Sequence, residues 1–200
     1  MNVVIRRTAL RLVLRWAQRL LFAGAIVTLG YCSFVLLDTW RFQHRERQSL
    51  EQQIQTPAAT TREAVPAIGP DGLIGRIEIA RLGVSVIVVE GTANATLRRA
   101  AGHIEGTALP GQIGNLGIAA HRDTFFRPLR NIRVNDVITL TTSAGEYRYR
   151  VVSTKIVNPT DVAVLKTDGA EVLTLVTCYP FYFVGAAPKR FIVRAERVTG

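Results

Sequence analysis

Cysteine is nearly absent from this chain: two occur in 200 residues, with a single methionine. Cys32 lies inside an apolar run, so Cys178 has no second cysteine beyond that run with which to form a disulfide. A stapled secreted scaffold is excluded. No HxxxH or CxxC spacing occurs, and the 15 carboxylates are few and dispersed. No metal site and no cofactor are therefore expected. Lys and Arg form no stripe interleaved with aromatics, which make up only 8% of the chain, so nucleic acid is not an expected partner. No internal repeat is found. No acidic residue precedes Asp38, although Arg6, Arg7, Arg11, Arg15 and Arg19 all fall in that stretch.

An uncharged run, LLFAGAIVTLGYCSFVLL, begins right after the last of those arginines and extends from Leu20 to Leu37. At the helical rise it spans about 27 Å, close to the hydrocarbon thickness of a bilayer. Tyr31 and Trp40 suit the interfacial belt. A cleaved signal peptide is the competing reading, but its apolar region is normally shorter and the exit SFVLLDTW is bulky. The expectation is a cytoplasmic basic N-terminus (1–19), a transmembrane anchor (20–37) and an extracytoplasmic remainder in the cytoplasmic membrane, single-pass with the N-terminus inside. The net charge of +10 shrinks accordingly: outside the five leading arginines, 20 basic residues face 15 acidic ones. A mildly basic domain near anionic lipid accounts for that balance.

Residues 41–55, RFQHRERQSLEQQIQ, are polar helix formers and read as a stalk. TPAATTREAVPA (56–67) has the composition of a flexible tether, so 38–67 is expected to be stalk and linker. From 68 the period becomes that of strands: 75–91 around a turn at Leu82-Gly83, 114–121, 136–142 paired with 146–157 through Ser143-Ala144-Gly145, 171–178 and 190–198. Helical signals are brief, at 95–102, FFRPLRNI and DVAVLKT. An all-β barrel or sandwich over 68–200 is the reading.

Cys178 ends the apolar run LTLV, and Tyr179-Pro180 stops regular pairing just after it. A thiol at such a strand exit is either an inert buried group or a nucleophile, and a neighbouring cation decides the matter. Arg190 opens the last strand. If the strands ending at Cys178 and starting at Arg190 pair antiparallel, the two residues lie close. His121, in IAAHRDTFF, sits at a similar exit, but its distance from Cys178 is not readable from the sequence.

TLVTC, followed twelve residues later by Arg190 and preceded by AAHRDTFF, resembles a sortase, a membrane-anchored cysteine transpeptidase. GHIEGTALPGQIGNLGIAAHRDTFF is similar to the corresponding family segment throughout, and the likeness covers about residues 72–199, nearest to class D. It implies a closed β-barrel of about eight strands with short helices. It further implies Cys178 as nucleophile, His121 as general acid and base, and Arg190 as the group holding the substrate carbonyl or the oxyanion. Implied partners are secreted proteins with LPxTG-like C-terminal signals, an amine of peptidoglycan or of another surface protein, and membrane lipid around the anchor. Ala120 departs from the glycine often found before the histidine. Only Pro70-Asp71-Gly72 approaches a lid motif, which favours an anchoring enzyme over a pilin polymerase. A silent membrane-tethered β-domain that binds surface proteins, and an L,D-transpeptidase, are the other readings. The second lacks its Ser, His and Gly ahead of Cys178.

Thr177, Tyr179, Phe181 and Tyr182 are the candidate substrate-binding residues. Thr177 projects from the opposite face of its strand to Cys178, so its hydroxyl can bond within the fold. The aromatic group Tyr179, Phe181, Tyr182 and Phe183 either lines the groove or covers the barrel end. His103 reads as structural, His44 as solvated, and Asp123 as the cap of the turn into TFFRPL rather than a third catalytic member.

Overall fold

The computed structural model describes residues 2–55, 68–167, 169–182 and 185–198. The expected tether at 56–67, and Phe183, lie outside the described residues. Helix α1 runs from Asn2 to Gln55 and is shared between two compact units, Met1–Arg41 and Phe42–Gly200.

In the first unit, α1 is long and apolar enough to cross a membrane, with an 18-residue window of mean hydropathy 2.2, none of it buried. Leu21, Phe22 and Val27, on different sides of the helix, are all exposed. A helix apolar all round needs an apolar surrounding.

The second unit is a closed barrel of eight strands, as expected. They are β1 (Leu73–Ile79), β2 (Val84–Glu90), β3 (Ala101–His103), β4 (Gly114–Ala119), β5 (Val137–Thr142), β6 (Gly145–Val157), β7 (Glu171–Tyr179) and β8 (Lys189–Arg197). The order around the barrel is β1-β2-β3-β4-β7-β8-β6-β5. Pairs β2–β3 and β4–β7 are parallel and the rest antiparallel. Alternation explains the core. Leu116 and Ile118, Leu173 and Leu175, and Val193 and Ala195 point inward from β4, β7 and β8, joined by Ile77, Leu140 and Tyr149. Among the described residues every strand of the closed barrel has a neighbour on both sides, although β2 meets β3 only from Val88 onward.

One element differs from expectation. Helix α2 (Asn94–Arg99) stops short, and Ala101–His103 form a strand rather than its last turn. Gly102 explains the change. A Cβ there would lie 2.3 Å from the Gly91 carbonyl oxygen, an approach that only glycine allows. Three residues are too few to register as an alternating pattern.

The segment read as a polar stalk carries a buried face. Leu50 is 2% exposed and joins Leu73, Ile87, Val89 and Ala100, with Phe42 alongside. Gln43 accepts from the Ile87 N–H at 3.0 Å and donates to the Arg99 carbonyl at 2.6 Å. It thus satisfies a β2 donor that lies ahead of the first β2–β3 pair, at Val88. Arg47 donates to the Ser85 hydroxyl at 2.9 Å. Leu50→Ala is expected to cost about 2–3 kcal/mol. In a thermal melt of the full chain that is a Tm roughly 5–10 °C lower. Ile54→Ala, at a half-exposed site on the same helix, should shift it far less.

Asp136 pins the turn before β5. Its carboxylate accepts from both Nε and Nη2 of Arg81 and from the Arg133 N–H at 2.8 Å. Hydrogen bonding to Arg81, helped by the Arg133 N–H and opposed by burial, holds the Asp136 carboxyl below the usual range. A depressed folded-state pKa gives stability that is present above the unfolded value of about 4. That stability is lost as pH falls through the folded value. Asp136→Asn should therefore lower Tm at neutral pH, and the gap to wild type should narrow as the melts are taken to acid pH.

Candidate active site

The site is built by parity on three adjacent strands. On β7, Leu173, Leu175 and Thr177 alternate inward, so Cys178 faces out, and it is half-buried. On β8, Phe191, Val193 and Ala195 pack with the core, so Arg190 and Ile192 face out. Past β4, Ala120 belongs to the core and His121 takes the opposite side.

Register then sets the neighbours. Cys178 and Arg190 are direct partners across the antiparallel β7–β8 pair. On the other flank, Ala119 partners Val176 in the parallel β4–β7 pair, and the Ala120 N–H continues it by bonding to the Val176 carbonyl at 3.2 Å. Counting two residues on from Ala119 and Val176 brings His121 level with Cys178. That register, continued past the end of β4, would set His121 on the far side of Cys178 from Arg190, with neighbouring strands about 4.8 Å apart.

His121 and Arg190 are each held by backbone contacts. The buried Thr177 hydroxyl donates to the Ala120 carbonyl at 2.8 Å, immediately before His121. The His121 carbonyl in turn accepts from Phe126 N–H at 3.1 Å, closing the loop behind it. Arg190 Nη1 donates to the carbonyls of Ala187 and Lys189, at 3.2 and 3.1 Å. Its Nε and Nη2 make no hydrogen bond to the described residues, so two nitrogens, carrying three N–H groups, remain for a ligand. Arg122 Nη2 donates to the Gly185 carbonyl at 2.9 Å, and Arg130 lies 5.4 Å from the Tyr182 ring centre. These two arginines tie the segment after His121 to the β7–β8 loop. They were not found from the sequence, where Arg122 is only the residue after the histidine.

The candidate substrate residues separate. Tyr179, Phe181 and Phe191 contact one another, with centroids 5.3–6.4 Å apart, and Phe181 and Phe191 pack on the core. They cover the barrel end next to Cys178. Tyr182 is 77% exposed in the loop. His103 is buried between Glu90, at 2.7 Å, and the Thr107 hydroxyl, at 2.9 Å. The 3-10 turn Arg127–Asn131 begins after Phe126 with no side-chain cap, so the cap expected of Asp123 is not formed.

Down the same outer face, a cavity of about 90 Å³ is lined by Ser153, Lys155, Val164, Ile192 and Arg194. Its wall, the segment around Val164, is pinned by Asn115. That buried amide donates to the Val164 and Lys166 carbonyls, at 3.1 and 3.3 Å, and accepts from the Thr174 hydroxyl at 2.7 Å. Among the described residues no group of three or more His, Cys, Asp or Glu is placed to hold a metal ion.

An outward thiol whose cross-strand partner is an arginine, on a closed eight-strand barrel, has the chemistry that a cysteine acyl-transfer class requires. Comparison places the chain within that class. The Sortase domain family model matches residues 77–198, so the chain belongs to the sortase family, whose members are cysteine transpeptidases. Sortase D of Bacillus subtilis (strain 168) is 32% identical over 192 residues, covering 90% of this chain and 96% of that protein. Sortase A of Listeria monocytogenes is 29% identical over 132 residues, 64% of this chain and 59% of that protein. Among solved structures, a Clostridium perfringens Sortase D5 transpeptidase superposes with a TM-score of 0.69 at 26% identity, covering 80% of this chain and 99% of that one. The chain is class D-like.

Proposed function

We propose that this sortase-family transpeptidase cleaves a C-terminal LPxTG-like sorting signal of secreted proteins and joins the new carboxyl end to an amine of the cell envelope. The observation that carries the reading is the Cys178–Arg190 pair across β7–β8, with His121 two residues past the end of β4, the strand on the other flank of β7. The Cys178 thiolate attacks the carbonyl before the scissile bond, and Arg190 donates to the oxyanion that forms. His121 as imidazolium protonates the leaving amine, the C–N bond breaks, and a thioacyl-enzyme remains. An incoming amine then attacks the thioester and gives its proton to His121. Collapse forms the new amide and releases the thiolate.

The acceptor in this reading is an amine of peptidoglycan or of another surface protein. The chain is anchored in the cytoplasmic membrane through 20–37, with residues 1–19 inside and the catalytic domain, 68–200, outside. Support comes from the apolar exposed helix and the basic residues ahead of it.

Mass spectrometry of the full chain in detergent, incubated with a panel of LPxTG-like peptides and a glycine-based amine, tests this. A cleaved, amine-joined product with a transient acyl adduct on Cys178 is expected. If no peptide gives an adduct, and a thiol reagent labels Cys178 no faster than free cysteine, the domain is a silent binding module instead.

A further inference from the structure

Thr177 was a candidate for touching substrate, yet its hydroxyl is turned away from the groove. The residue is 2% exposed and stands on the inner face of β7, opposite to Cys178. Among the described residues its hydroxyl makes one hydrogen bond, to the Ala120 carbonyl just past the end of β4, at 2.8 Å. That carbonyl belongs to the peptide linking Ala120 to His121. Its orientation therefore fixes where the imidazole leaves the backbone. The β4–β7 ladder gives this peptide no other anchor, since the last ladder bond, Ala120 N–H to Val176 carbonyl, is made one peptide earlier. Beyond it the chain enters a loop, where the His121 carbonyl accepts from the Phe126 N–H and Arg122 reaches the Gly185 carbonyl.

We infer that Thr177 is a positioning residue: from the strand that carries Cys178, it sets the place of His121 beside that thiol. This rests on the reading of His121 and Cys178 as a working pair. The same β7 strand supplies an internal comparison. Thr174 is also fully buried and also bonds across to β4, but its hydroxyl goes to Asn115, which holds the segment around Val164. The two threonines thus make similar bonds that serve different ends. Loss of the first should act on the chemical step, and loss of the second on the groove wall and substrate binding.

The test uses the full chain in detergent with Thr177→Val, Thr177→Ser, Thr174→Val and His121→Ala. Valine keeps the shape and removes the hydroxyl, whereas serine restores the donor. Two readings are taken: kcat and KM with a peptide that wild type turns over, and the alkylation rate of Cys178 by a neutral thiol reagent at neutral pH, which needs no substrate.

Thr177→Val should lower kcat about tenfold to a hundredfold, as loss of a residue that orients a working group does elsewhere, with little change in KM. Its alkylation rate should move toward that of His121→Ala. Thr177→Ser should recover most of kcat. Thr174→Val should raise KM and leave alkylation at the wild-type rate. If Thr177→Val alkylates like wild type, or if serine loses as much kcat as valine, the inference is overturned. If His121→Ala itself alkylates like wild type, the pairing of His121 with Cys178 fails, a separate outcome that removes the premise and with it the inference.

Discussion

Cys178→Ala should abolish amine joining and the acyl adduct together, a loss on the order of 10⁴-fold to 10⁶-fold in kcat, the range found when a covalent nucleophile is removed from its partners. No other group can take over. The second thiol, Cys32, lies in the other compact unit, within the uncharged run of α1. Serine at 178 is no substitute at neutral pH, because a hydroxyl beside His121 and Arg190 is far harder to ionise than a thiol. The decisive measurement is intact-mass analysis after peptide addition. Wild type should gain the mass of the acyl fragment, and Cys178→Ala should stay unshifted while keeping its melting temperature. Turnover by the alanine variant above one part in a thousand of wild type would remove Cys178 from the chemistry.

Arg190→Lys is expected to lose well beyond tenfold in kcat/KM although the charge is kept. The guanidinium uses Nη1 to bond the Ala187 and Lys189 carbonyls, which fixes the fork at the residue that pairs with Cys178 across β7–β8. An ammonium is a point donor on a flexible stem. It cannot bond its own loop and present two further donors at fixed angles. Loss of a single oxyanion donor costs on the order of 10²-fold to 10³-fold elsewhere. Steady-state kinetics of the lysine variant would check this, and activity within a few-fold of wild type would refute the positioning role of the fork.

The sequence makes some of these neighbours visible and hides others, for geometric reasons. Cys178 and Arg190 are joined by a short connection, so antiparallel pairing of their strands could be inferred before any coordinates, and the register bears it out. His121 could not be placed. It reaches Cys178 through a parallel pair, and parallel strands require a long crossover whose path local pattern does not encode. The strands themselves were legible by alternation, except β3, which is too short to alternate. The docked end of α1 was also hidden: Leu50 and Phe42 supply its apolar contact, too few to mark a stripe, while Gln43 and Arg47 look like ordinary solvated residues until the β2 backbone and Ser85 are seen to be their partners. Amide-to-backbone contacts of that kind carry no periodicity.

The strand that comes last along the described residues, β8, is not at an edge but between β7 and β6. The barrel is consequently a circle with a gap until the C-terminal strand is inserted, and Arg190 stands at the start of that strand. Cys178 and Arg190 therefore sit on the two strands whose pairing shuts the circle, and removal of β8 would open the core and take the thiol's cross-strand partner away in the same stroke.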